Sequence, residues 1–226
     1  MRKFLKSLLP LLSAAVLLSL ISCASTKRGV AGYQAYDRPA TLPDNPDAVK
    51  VKVSLNKQRV YVMEGDKMLL AMPVSVGKSS SPTPRGNFRI KSKKADYRAN
   101  THGFATDGQS YRSTYLHKKP AGWSFRGTPM PYWCEFKTAY GFHTGWVKHH
   151  PCTHGCIRMH ENLGPKFFRL VKVGTPVSIA FSQPEDAEYA DMPLPPDADP
   201  LPDYDPKSMY WDGGYFSRHK TPVFTN

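Results

Sequence analysis

His143-Thr144-Gly145-Trp146-Val147-Lys148-His149-His150-Pro151-Cys152-Thr153-His154-Gly155-Cys156, continued by Ile157 and Arg158, is the stretch on which the reading of this 226-residue chain turns. A thiolate attacks carbonyl carbon well, and a neighbouring imidazole that takes the thiol proton, or pairs with the thiolate, brings the group within reach of neutral pH. Gly155, with no side chain, leaves the backbone around Cys156 open to a substrate oxyanion. Two plainer readings compete: Cys156 as a buried structural thiol, and Cys152, His154, Cys156 and His143 as zinc ligands. The spacing argues against zinc, because structural zinc sites draw paired C-x₂₋₄-C units from two separate segments. Acyl transfer through a thiol calls for no cofactor, and neither a cofactor nor a metal is expected.

Outward from this stretch the chain is patterned for β structure. Val49, Val51, Val53 and Leu55, then Val60 and Val62, alternate with period two around a turn at Asn56-Lys57-Gln58. Met68 to Val76 is a further run suited to a pleated surface, and Asn87 to Ile90, Trp133 to Phe136 and Thr175 to Phe181 complete a mainly antiparallel set. One helix is expected, capped by Asn162, with Pro165 in its first turn, Phe167, Phe168, Leu170 and Val171 on its buried side, and Gly174 ending it. Residues 91–128 show no period and read as a long loop insertion. It is either a lid bearing Tyr97, Tyr111, Tyr115 and Trp123, or aromatics covering a sheet edge.

The run Thr153-His154-Gly155-Cys156-Ile157-Arg158, with His143 upstream, resembles the active-site signature of the L,D-transpeptidase (YkuD-like) catalytic domain. Val51 to Met63 resembles that family's opening hairpin, Pro73 to Ile90 its second signature stretch, and Met130-Pro131-Tyr132-Trp133 the segment leading into the histidine. The resemblance implies a β-sandwich or barrel-like domain over residues 49–181 with one packed helix. It also implies acyl transfer through a Cys156 thioester on peptidoglycan stem peptides, with His143 as base and interception by carbapenem-type β-lactams. Gly155 and Cys156 would receive the oxyanion on their N–H groups, and His154 would shape the site. Arg158 would bind a substrate carboxylate or lock the turn, Thr144 would orient the imidazole, and Tyr132 would contact substrate. The spacer Thr144 to Cys152 is shorter than the family's, and it holds His149 and His150, either of which could replace His143 as the base.

The ends place this domain. Arg2, Lys3 and Lys6 precede an apolar stretch to Ile21, so residues 1–22 read as an export signal. Leu20-Ile21-Ser22-Cys23 resembles a lipobox, which implies lipidation of Cys23 and an exported protein held on a bacterial membrane. Residues 23–48 read as a flexible tether and 182–226 as an acidic, Pro-rich tail that is disordered or draped on the domain. The net charge is +13, yet residues 183–226 carry nine acidic against three basic residues, so the domain itself is strongly basic. In an exported protein this favours wall polymer, stem peptides or lipid head groups over nucleic acid. Cys134 and Cys152 are free to pair, or Cys152 to bridge Cys156.

Overall fold

The computed structural model describes residues 29–199, 201, 205–213 and 220–225. Nine of its strands form one sheet: β1 (Val49–Ser54), β2 (Arg59–Glu64), β3 (Lys67–Ser75), β4 (Gly86–Arg89), β5 (Ser92–Lys94), β9 (Trp133–Lys137), β10 (Tyr140–Thr144), β11 (Ile157–Met159) and β12 (Pro176–Ala180). Their order is β4-β12-β1-β2-β3-β11-β10-β9-β5. The edge strands β4 and β5 are joined through Ile90 and Lys91 alone, so the two ends of the sheet must lie close together. The sheet therefore curls around its core, which gives the mainly β architecture expected from the pattern and the barrel-like form implied by the resemblance.

In β1, Val49, Val51 and Val53 are buried while Lys50 faces solvent, which is the period-two alternation of a strand with one wet face. β2 and β3 lack that alternation and are buried almost throughout. The tail supplies the reason: Met192 packs with Tyr61, Met63 and Ala71, with Tyr189 against the same cluster. Arg59 donates to the carbonyls of Tyr189 and Ala190, and Tyr61 donates to Asp186 at 2.9 Å. Residues 186–192 of the tail are thus draped along the outer face of the sheet.

Four expectations need correcting. The insertion is not a loop: β6 (Arg98–Thr106), β7 (Tyr111–Tyr115) and β8 (Ser124–Pro129) form a second sheet in the order β7-β6-β8. Its sequence shows no period because a register shift interrupts the β6–β8 pairing between Arg98 and Gly103, and Gly103 and Gly127 sit where backbones meet too closely for a side chain. The tether is not free over its described part. Residues 29–35 are helical (α1), Tyr33 is fully buried, and the Lys166 ammonium grips Asp37 at 2.7 Å. The catalytic-domain helix α2 (Gly164–Leu170) takes Leu163 rather than Asn162 as its N-cap; the Asn162 amide instead donates to the carbonyls of Gln34 and Tyr36. A further helix, α3 (Pro206–Trp211), lies in the tail.

Cys134, Cys152 and Cys156 are all unbridged. Cys134 is buried in the core with Phe136, Phe142 and Ile157, and burial pushes its thiol up to about 12. The proposed signal segment and the lipidation site Cys23 lie outside the described residues. Among those described, no helix is long and apolar enough to cross a membrane.

Candidate active site

β10 and β11 run parallel, with Phe142 opposite Ile157, His143 opposite Arg158 and Thr144 opposite Met159. Side chains alternate across a strand, so one set (Phe142, Thr144, Ile157, Met159) turns inward and is buried at 2 % exposure or less. The alternate set, His143 and Arg158 with Cys156 just ahead of β11, faces the other way. All three line a cavity of about 750 Å³ whose far wall is the insertion sheet.

His143 is buried, and its Nδ1 lies 2.8 Å from the Thr144 carbonyl oxygen. That contact is satisfied by Nδ1–H donating, which leaves Nε2 as a base in the neutral ring. Burial, followed by the Arg158 charge, pulls the imidazole down to about 3, against the opposing pull of the Thr144 carbonyl. The half-buried Cys156 thiol is pushed above its ordinary value by burial, partly offset by the Gly141 backbone and Arg158. Its sulfur sits 3.8 Å from the Ala139 carbonyl oxygen, to which it donates. Both shifts favour the neutral forms of the two groups, a thiol and an imidazole that share one cavity.

The turn carrying the thiol is held from two sides. Thr153 Oγ1 donates to the Cys156 carbonyl at 2.6 Å and accepts the Gly155 N–H at 3.1 Å. From below, the Val76 carbonyl accepts the N–H groups of Cys152 and Thr153, and the Thr153 carbonyl accepts that of Lys78. Gly155 has φ +108°, and a Cβ there would stand 2.5 Å from the Tyr140 ring, so this position admits only glycine in practice. The Gly155 N–H is taken by Thr153, which moves the oxyanion expectation onto the Cys156 N–H. Thr153 and Val76 had no assigned role in the sequence reading. A Thr two residues before Gly-Cys, the span of an ST turn, was the available signal.

The remaining expected residues divide. His154 is exposed and lines the cavity beside Cys156. Arg158 lines it too, but its stem lies against Gly145 and its guanidinium donates to the Trp146 carbonyl at 3.2 Å, so it also braces the loop after His143. Thr144 orients the imidazole through its carbonyl, and its side chain is turned into the core rather than to substrate. Tyr132 does not line the cavity either: its hydroxyl accepts the Lys220 N–H at 3.0 Å, and it lines a separate hollow with Lys93 and Phe168. His149 and His150 are drawn to the tail, His149 to the Pro195 carbonyl at 2.8 Å and His150 to Asp199 at 3.1 Å. That removes both from competition for the base. The insertion contributes His102, Ser113 and Thr128 to the cavity, and none of its four singled-out aromatics. Instead Tyr97 stacks on Trp133 with ring centres 4.7 Å apart, and Trp123 packs under Arg112.

Fold and cavity together define a curled β domain that presents a cysteine and a histidine to one pocket. The sequence profile of the YkuD L,D-transpeptidase catalytic domain matches residues 48–179, and the chain belongs to that family. A Bacillus licheniformis protein that carries the provisional name L,D-transpeptidase YkuD is 27% identical over 137 residues, 60% of this chain and 68% of that one. Among solved structures, an L,D-transpeptidase from Mycobacterium smegmatis aligns with a TM-score of 0.45 at 17% identity, covering 59% of this chain and 58% of that one. Another L,D-transpeptidase, solved in complex with imipenem, aligns with a TM-score of 0.45 at 22% identity, covering 59% of each chain. The chain thus spans less than two thirds of the length of these solved relatives.

Proposed function

We propose that this protein is a peptidoglycan L,D-transpeptidase working through a Cys156 thioester. The observation that carries this reading is the sharing of one cavity by Cys156 and His143, with the imidazole tautomer fixed by the Thr144 carbonyl. As a stem peptide docks, His143 Nε2 takes the thiol proton while Sγ attacks the carbonyl that follows an L-configured centre, and the oxyanion is received by the Cys156 N–H. The C–N bond breaks, the His143 proton passes to the departing D-amino acid amine, and an acyl-enzyme remains. An incoming amine then breaks the thioester. A neutral resting pair suits this sequence of steps, because the thiol is activated only when a carbonyl is present to accept its electrons.

Export and anchoring through Cys23 belong to the same proposal, since the substrate polymer lies outside the cell. Cys23→Ser should release the protein from membranes.

The test is mass-spectrometric product analysis after incubation with disaccharide tetrapeptide, with Cys156→Ala as control. Dimers lacking one terminal D-amino acid are expected, and the control should lose at least about 10⁴-fold in rate. Tripeptide alone would make water the acceptor and the protein an L,D-carboxypeptidase. Imipenem should add to Cys156 one to one, and an unchanged intact mass after prolonged exposure would count against a reactive thiol.

A further inference from the structure

The insertion-sheet wall of the cavity carries a further imidazole, besides His143 and His154, in a defined hydrogen-bond chain. His102, on β6, has Nδ1 3.0 Å from Thr128 Oγ1 of β8 and Nε2 3.3 Å from Ser113 Oγ of β7. One residue from each strand of the insertion sheet therefore meets at one point, and all three line the cavity. Tyr115 closes the ring's other side, edge-on at 5.1 Å between centres. Both walls line the same cavity, and burial, followed by the charge of His154 two residues before Cys156, lowers the His102 pKa. A half-buried histidine held between two hydroxyls in a pocket is a polar cluster that the first half of the reaction does not use.

We propose that His102 and Ser113 form the acceptor subsite, which orients the incoming primary amine and takes its first proton. This rests on the transpeptidase reading above. An acceptor amine reaches the cavity as an ammonium, and becoming an amide nitrogen requires it to lose two protons. One passes from the ammonium to Ser113 Oγ while the Ser113 hydroxyl proton moves to His102 Nε2, with Thr128 accepting from Nδ1–H to hold that tautomer. The freed lone pair attacks the thioester carbon, the C–N bond forms and the C–S bond breaks. The second proton reaches the departing Cys156 sulfur through His143, and His102 returns its proton to solvent. Two imidazoles on opposite walls thus serve the two halves of the reaction: His143 beside the nucleophile, His102 beside the acceptor.

The experiment compares the full chain with its His102→Gln, Ser113→Ala and Ser113→Thr variants in two assays on the same preparations. Acylation is followed as the rate of imipenem addition by intact mass, and partitioning as the ratio of cross-linked dimer to tripeptide from disaccharide tetrapeptide. His102→Gln and Ser113→Ala should acylate within about twofold of wild type, which also shows that they are folded, while the dimer-to-tripeptide ratio falls by about tenfold or more. Ser113→Thr, which keeps the hydroxyl, should retain most of the ratio. An unchanged ratio in both variants, or acylation falling in parallel with cross-linking, would overturn the acceptor assignment. Failure of the wild type itself to acylate would strike the transpeptidase reading instead, so the two failures are distinguishable.

Discussion

The cavity wall that carries Cys156 and His143 is continuous with the main sheet, whereas the wall that carries His102 and Ser113 belongs to a separate three-stranded sheet. On the first, positions are dictated by register and close backbone approach. Ile157 and Met159 are locked in the core, Gly155 abuts Tyr140, and the thiol turn is tied to the segment after β3 through Val76 and Lys78. On the second, strands β6 to β8 lean on material from elsewhere in the chain. Phe104 packs with Trp146 of the loop after His143, Tyr33 of α1, and Met209 and Tyr210 of α3. The difference teaches that Cys156 is positioned by the domain alone, while the facing wall is positioned with help from α1 and α3.

Mild acid should act most strongly, and on the rigid side. His143 is pulled down to about 3 and the fully buried His160 to about 4, chiefly by burial. His160 is saturated as a neutral ring: Nε2 donates to the Tyr33 carbonyl at 2.8 Å and Nδ1 accepts the Asn162 N–H at 3.1 Å. Both folded pKa values lie below the unfolded value of about 6.5, so their stabilisation is intact above pH 6.5 and is lost as pH falls toward 4. The loss is roughly 1.4 kcal/mol per pH unit for each histidine. Urea midpoints measured between pH 7.5 and 4.5 should fall steadily, and a flat profile would mean that neither ring is held neutral. Because His143 stays unprotonated, the acid limb of the acylation rate should lie well below pH 6.5.

Gly155→Ala should come next. The left-handed φ and the collision with Tyr140 together cost about 3 kcal/mol, read as a fall of about 10 °C in Tm, with acylation lost. A variant that keeps both would show the turn to be less constrained than its geometry indicates. Thr153→Val, which removes the two hydrogen bonds of Oγ1, should cost about 1–2 kcal/mol and slow acylation about tenfold, because the Cys156 N–H is no longer aimed. Smallest of all, Tyr132→Phe should change stability by under about 1 kcal/mol and leave acylation and partitioning within about twofold, since Tyr132 faces Lys220 and not the cavity. A large rate effect would restore it to the substrate path.

The main sheet was legible because its strands carry their burial in the order of their residues. Val49, Val51 and Val53 alternate, and His143 and Cys156 stand in short signature segments. The insertion was not legible, since Gly103, Gly127 and a register shift erase the period. Nor was the packing of residues 29–48, whose polar composition hides single anchors such as Tyr33 and Asp37. Asn162 was misread because an amide that caps a helix and one that bridges to another segment look alike in one dimension.

By itself, then, the sequence determined the mainly β domain through local period, and the family through short signature stretches, and it offered Cys156 and His143 as candidates because short-range spacing is written along the chain. Only the tertiary structure decided that Thr144 and Tyr132 turn away from the cavity, that His149 and His150 are bound by the tail, and that Thr153 rather than substrate holds the Gly155 N–H. It also decided that His102, Ser113 and Thr128 converge opposite the thiol. These depend on contacts between residues distant in sequence, and such pairings are fixed by packing and strand register, which no single segment encodes.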